Sequence, residues 1–180
     1  MSYYYDGGAS LWNRGAGGPS LSYFTTVWER HNISFDKVFA FEGSGDELKF
    51  NESVPFIWKN RTTFNNVFIS SDPTINNESS PFLPMLIQNS TRKEDYVLFK
   101  LDIDSAGIEN NIMEYLLADD NDALDYIDEI VYEHHVKGNY LMRRIVGNWA
   151  AQEEGLTTIE ESYQLFLAFR KKGIRAHSWV

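Results

Sequence analysis

YVLFKLDID, residues Tyr96 to Asp104, decides how this chain is built. Tyr96-Val97-Leu98-Phe99-Lys100-Leu101 is a short, mostly apolar run, as expected of a strand buried inside a sheet. It stops at Asp102-Ile103-Asp104, so acids stand where the strand ends. Working outward, the same grammar recurs. Tyr3–Tyr5 is a short strand ending at Asp6. Lys37–Phe41 is a compact strand ending at Glu42. Asn66–Ser70 reads as a strand leading to Asp72, and Glu129–Glu133 as one leading to His134-His135. Ile174–Val180 reads as a last strand.

Between the strands the period changes. Leu21, Phe24, Val27 and Trp28 recur at helical spacing and predict a helix over Ser20–Arg30, with Pro19 suited to its start. Ile108, Ile112, Tyr115 and Leu116 mark a second helix. Thr158 with Glu161 is a capping-box signature for a third, which Gly173 would close. Residues 43–65 read as a short helix with much loop. Residues 71–92, with Pro73, Pro81 and Pro84, read mostly as loop. Strands alternating with helices predict an α/β domain with a mainly parallel sheet and helices on both faces. In such sheets ligands bind beyond the carboxyl ends of the strands. Polar residues fall at all of those ends.

Composition narrows the partners. The chain has 180 residues, enough for one domain over 1–180, with 43% apolar and 15% aromatic residues to fill a core. Its abrupt opening and closing suggest a domain excised from a longer multidomain protein. A net charge of −10 argues against nucleic acid or an anionic membrane and is compatible with a cationic or neutral ligand. The absence of cysteine excludes disulfides, thiolate zinc sites and a cysteine nucleophile. No signal peptide or membrane-length apolar run is visible, so the expectation is a cytoplasmic protein without membrane insertion. The sequons at Asn32, Asn51, Asn60, Asn77 and Asn89 read as chance in an Asn-rich chain.

The first strand runs into Asp6-Gly7-Gly8-Ala9-Ser10, and Gly15, Gly17 and Gly18 precede the first helix. A glycine cluster of this kind suits a tight turn with something close against the backbone. A P-loop would place a lysine where Gly18-Pro19-Ser20 stands, and the dinucleotide pattern G-x-G-x-x-G is absent. S-adenosylmethionine carries no phosphate. It needs close backbone, an acid for its ribose hydroxyls and tolerance of a sulfonium. Glu42, at the end of the second strand, can accept from two ribose hydroxyls.

Three stretches together resemble the FkbM-type S-adenosylmethionine-dependent methyltransferases: Asp6-Gly7-Gly8-Ala9-Ser10, Phe35-Asp36-Lys37-Val38-Phe39-Ala40-Phe41-Glu42, and Phe99-Lys100-Leu101-Asp102-Ile103-Asp104. That family shows a strand entering D-x-G-A, a strand ending in A-F-E, and a later K-I-D-x-E-G. Here Asp104-Ser105 stands in place of Glu-Gly, and the glycine loop is longer. The resemblance implies a Rossmann-like class I methyltransferase fold and O-methylation of a sugar or glycan hydroxyl, for example on a deoxyhexose such as rhamnose. Asp6, Gly7, Gly8, Ala9, Ser10 and Glu42 are the expected cofactor-binding residues, with Asp72 near the adenine.

Methyl transfer to an alcohol must also remove a proton. His134 or His135 could serve as general base with Asp102 beside it, and alternation along an extended segment brings only one of the two to the site. Alternatively Asp102, Asp104, Glu133 and His134 could hold Mg²⁺ or Mn²⁺, which acidifies a bound hydroxyl. Trp12 and Trp149 read as packing or as stacking surfaces, Arg143-Arg144 as an exposed helix face, and His177 as structural. Asp119, Asp120, Asp122 and Asp125 read as solvated surface. Two rival functions remain: a glycosyltransferase using Asp102-Ile103-Asp104 as a metal-binding D-x-D, and a non-catalytic Rossmann-like binding module.

Overall fold

The computed structural model describes residues 1–15, 18–136 and 157–179. Gly17, Arg143, Arg144, Trp149 and Val180, named above, lie outside the described residues. Six strands form one sheet: β1 Ser2–Gly7, β2 Lys37–Phe41, β3 Thr62–Asn65, β4 Tyr96–Leu101, β5 Glu129–Tyr132 and β6 Arg175–Ser178. Their order is β3-β2-β1-β4-β5-β6, and every neighbouring pair is parallel. This is a doubly wound, Rossmann-like α/β fold. The order reverses between β1 and β4, so the crevice at their carboxyl ends is where a ligand is expected.

Among the described residues five α-helices cover the sheet: α1 Ser20–Arg30, α2 Glu47–Ser53, α3 Leu83–Ser90, α4 Ala106–Leu117 and α5 Ile159–Lys171. Side-chain alternation along the strands divides the core in two. Tyr3, Tyr5, Val97, Phe99 and Ile130 pack on one face with residues of α3, α4 and α5. Tyr4, Val38, Leu98 and Val131 pack on the other with Leu21 and Phe24 of α1 and Phe50 of α2. Each large apolar side chain removed from water stabilises the fold by about 1.5–3 kcal/mol. Both faces being covered explains why the central strands read as apolar runs rather than alternations.

The third strand lies earlier than its apolar signal. Val67-Phe68-Ile69 is not a strand; Thr62–Asn65 pairs with Val38–Phe41 instead, and Phe68 is 72% exposed. An edge strand half-covered on its faces is marked by β-branched residues such as Thr62 and Thr63, not by a hydrophobic run. Helix α3 was hidden by its proline. Pro84 sits in the first turn, where a missing N–H costs nothing. The capping box of Thr158 and Glu161 is present, and Gly173 adopts a positive φ of 92° after α5. Trp12 is buried against Trp58, with ring centroids 5.5 Å apart, so it belongs to the core. His177 pairs with Glu129 at 2.7 Å. Asp119, Asp122 and Asp125 make surface ion pairs with Lys172 and Lys93. Among the described residues no helix is long and apolar enough to cross a membrane.

Candidate functional site

The crevice is founded on a buried ion pair. Asp6 of β1 and Lys100 of β4 stand opposite each other in the sheet register. Lys100 Nζ lies 3.0 Å from Asp6 Oδ1 and 3.2 Å from Asp102 Oδ2, and donates to the Gly8 carbonyl at 3.0 Å. Asp6 Oδ2 accepts from Tyr4 at 2.6 Å and from Ser20, the first residue of α1, at 2.7 Å. Burial works against the Lys100 charge, but the two carboxylates outweigh it and hold the ammonium above its ordinary range. The group ties together the ends of β1 and β4 and the start of α1. Removing one partner of such a pair strands the other charge, at a cost of about 3–5 kcal/mol.

Gly8 answers what approaches the glycine loop so closely. Its φ is +85°, and a Cβ there would lie 1.5 Å from the Asp102 carbonyl oxygen. The neighbour demanding glycine at this position is the backbone leaving β4. Gly8 and Ala9 both donate their N–H to the Phe41 carbonyl at 2.9 Å. The loop after β1 is therefore clamped between the ends of β2 and β4.

Past this clamp, a cavity of about 550 Å³ opens beyond β1 and β2, its wall including Ala9, Ser10, Glu42 and Arg14. Phe50 and Phe64, which also line it, stack on one another at 4.2 Å with their planes 19° apart. Glu42 Oε1 accepts from Ser44 N and Ser44 Oγ, both at 2.9 Å, which fixes the carboxylate on the rim. Its Oε2 accepts no hydrogen bond among the described residues. Arg14 makes no ion pair among the described residues either.

Beyond β4 and β5 the strand ends converge on acids. Asp102 accepts from Trp179 Nε1 at 3.0 Å and shares a hydrogen bond with Glu133. Burial works to raise the Asp102 pKa, but the Lys100 charge and the bond to Glu133 keep this carboxyl below the usual range. Glu133 is driven the other way, by burial first and then by its bond to Asp102 and that residue's charge. Asp104, at a left-handed φ of 56°, is raised by burial and by Asp102. Glu109 of α4 is fully buried; burial pushes it up to about 7, although the Ile103 N–H bonds its Oε1 at 2.8 Å. Its Oε2 accepts no hydrogen bond among the described residues. His135 Nε2 lies 3.5 Å from Glu133 Oε2 and 4.0 Å from Glu109 Oε2. One ligand atom each from Asp104, Glu133 and His135 fall within 4.8 Å of one another.

His134 faces away from this group. Its Nδ1 lies 3.0 Å from Ser162 Oγ and its Nε2 2.7 Å from Thr157 Oγ1, while the ring stacks on Tyr132 at 5.1 Å. Burial lowers its pKa. It clasps the end of β5 to the first turns of α5, and His135 occupies the side of the acids. Asp72 is exposed and bonds Thr74 N and Oγ1 at 2.8 and 2.7 Å, capping its own turn.

Of the residues expected from sequence, Ala9, Ser10 and Glu42 meet on the cavity wall. Asp102, Asp104, Glu133 and His135 meet at the neighbouring strand ends. Asp6, Gly7 and Gly8 lie beneath the cavity rather than on its wall, and His134 and Asp72 are engaged elsewhere. Lys100, Glu109, Arg14 and Trp179 were not singled out. A lysine inside an apolar strand was a readable signal for a buried acidic partner; the others carried none. No protein-family model, curated protein or solved structure matches the chain.

Proposed function

We propose that this domain is an S-adenosylmethionine-dependent O-methyltransferase whose acceptor is a hydroxyl of a sugar or glycan. The observation that carries this reading is the pairing of two compartments at one row of strand ends. A largely apolar cavity with a fixed carboxylate, Glu42, adjoins a carboxylate–imidazole group around Asp102. The two are close enough that the Glu42 charge contributes to raising Asp104.

The volume of the cavity suits a nucleoside-sized ligand, since such pockets run from about 300 to 1,000 Å³. S-adenosylmethionine supplies an electrophilic methyl group on a sulfonium. Glu42 would accept hydrogen bonds from the two ribose hydroxyls through the oxygen that Ser44 leaves open. The Phe50–Phe64 pair offers an apolar wall to the purine. Arg14 supplies a cation for the amino-acid carboxylate. On the acceptor side, Asp102 is held ionised and fixed by Lys100 and Trp179, so it can orient a hydroxyl by accepting its hydrogen bond. Asp102 would then receive the hydroxyl proton as the oxygen–methyl bond forms and the carbon–sulfur bond breaks, with S-adenosylhomocysteine as the leaving group. Holding the oxygen in line accounts for much of the acceleration in a displacement of this kind.

Isothermal titration with S-adenosylhomocysteine tests the reading. Saturable binding is expected, weakened at least tenfold in Glu42→Ala, which corresponds to about 1.4 kcal/mol. No binding by the folded parent, or tight binding of a UDP- or GDP-sugar in its place, overturns it.

A further inference from the structure

We infer that Asp104, Glu133 and His135, backed by Glu109, form a binding site for one divalent cation of the Mn²⁺ type. The site stands on its own geometry and does not depend on the methyl-transfer reading. Three observations converge on it.

The first is spacing. The three ligand atoms lie within 4.8 Å of one another, and His135 Nε2 is 3.5 Å from Glu133 Oε2. Donors on a cation with bonds of roughly 2.1–2.3 Å sit roughly 3 Å apart when adjacent and 4–4.5 Å when opposite. Contraction of a few tenths of an ångström around an ion therefore closes the set.

The second is Glu109. This side chain is fully buried, its Oε2 has no hydrogen-bond donor among the described residues, and that oxygen points at the triad, 4.0 Å from His135 Nε2. A buried carboxylate oxygen without a donor costs stability unless something positive reaches it. Glu109 does not belong to a strand end. It projects from the first turn of α4, so its arrival here is independent of the residues that follow β4 and β5.

The third is charge. The carboxyl groups of Asp104, Glu109 and Glu133 gather around His135, whereas Lys100, the cation next to Asp102, is already shared by Asp6 and Asp102. Among the described residues the group has more carboxyl than ammonium beside it. A divalent ion supplies the missing positive charge without a new side chain.

The donor set selects the ion. Carboxylate oxygens favour Mg²⁺, Ca²⁺ and Mn²⁺, and an imidazole nitrogen shifts the preference toward Mn²⁺ and the later metals. The set differs from a D-x-D arrangement, because Asp102 is committed to Lys100, Trp179 and Glu133. A cation held here would face the acceptor side of the crevice, where it could bind a sugar hydroxyl and acidify it.

Titration of the purified chain with MnCl₂, followed by loss of the free Mn²⁺ electron paramagnetic resonance signal, tests the site. One equivalent is expected to bind, with affinity reduced at least tenfold in Glu133→Gln and in His135→Ala, and severalfold in Glu109→Gln. Circular dichroism checks that each variant is folded, and His135→Gln replaces His135→Ala if the latter is not. Excess MgCl₂ is expected to displace Mn²⁺ only partly. Absence of saturable binding overturns the site. Binding that is unchanged in folded Glu133→Gln and His135 variants also overturns it, because surface acids then hold the ion. Mn²⁺ binding without S-adenosylhomocysteine binding leaves this site standing and removes the methyltransferase reading. The reverse pattern does the opposite.

Discussion

Beyond β1 and β2 the strand ends open into a cavity of about 550 Å³, walled by small residues, an aromatic pair and the charged side chains of Arg14, Glu42, Asp46 and Lys49. Beyond β4 and β5, next along the same row, they close over acids that crowd and displace one another's titration. The first region is made by the loop after β1, the stretch from the end of β2 into α2, and Phe64 of β3. The second is made by side chains arriving from two strand ends, a helix and the last strand. The contrast separates two jobs. Shape governs the cavity, so it should tolerate polar change while keeping the fold. Electrostatics governs the acidic side, so it should respond to the removal of any one charge.

The strongest way to break the contrast is to attack the clamp the two regions share. Gly8→Ala places a methyl against the Asp102 carbonyl and forces alanine into a positive φ. We expect it to destabilise the domain by more than about 4 kcal/mol, read by urea unfolding or as loss of soluble protein. Lys100→Met removes the ammonium and leaves Asp6 and Asp102 facing each other. The expected loss is about 3–5 kcal/mol, read the same way, and an unchanged midpoint would show that the pair anchors nothing. Smaller, and sharper, is the comparison of neighbouring histidines. His134→Ala removes two hydrogen bonds and a ring stack at the base of α5, at a cost of about 1–3 kcal/mol. It should leave Mn²⁺ binding intact, whereas His135→Ala should weaken Mn²⁺ binding and cost less stability.

The smallest effect concerns pH. Burial raises Tyr5 and Tyr96 to about 12. The folded chain thus keeps both phenol protons where the unfolded chain, near 10, has released them. Their contribution to stability is whole below about pH 10 and is lost as pH rises toward 12. Tyr5→Phe, which also gives up the hydroxyl contact with Ser90, should shift alkaline unfolding to a higher pH while slightly lowering neutral stability. A parent-like alkaline midpoint would count against the burial account.

The legibility of the molecule follows the same divide. The strands through Tyr4, Val38, Leu98 and Val131 could be read because a parallel sheet buried on both faces writes itself as apolar runs. Glu42, Asp102 and Glu133 could be read because they terminate those runs. β3 escaped because an edge strand needs fewer apolar residues, and α3 because Pro84 is a breaker only inside a helix. Glu109 and Trp179 had no local signature. One is a single acid in the first turn of a helix and the other follows the last strand, and only the tertiary crossing brings them to Asp102 and His135. Gly8 was recognisable as a point of close approach. The identity of what approaches it, the chain's own Asp102, was not written nearby.

The bond from Lys100 to the Gly8 carbonyl spans 92 positions, and this has a bearing on how the protein matures. Contacts that far apart along a chain are slow to form, since the intervening loop must be ordered first. During synthesis the cavity beyond β1 and β2 has no floor until the fourth strand has left the ribosome and docked. A prematurely terminated product would lack this cavity as well as its stability, and the cavity should form late in refolding, together with the final cooperative phase.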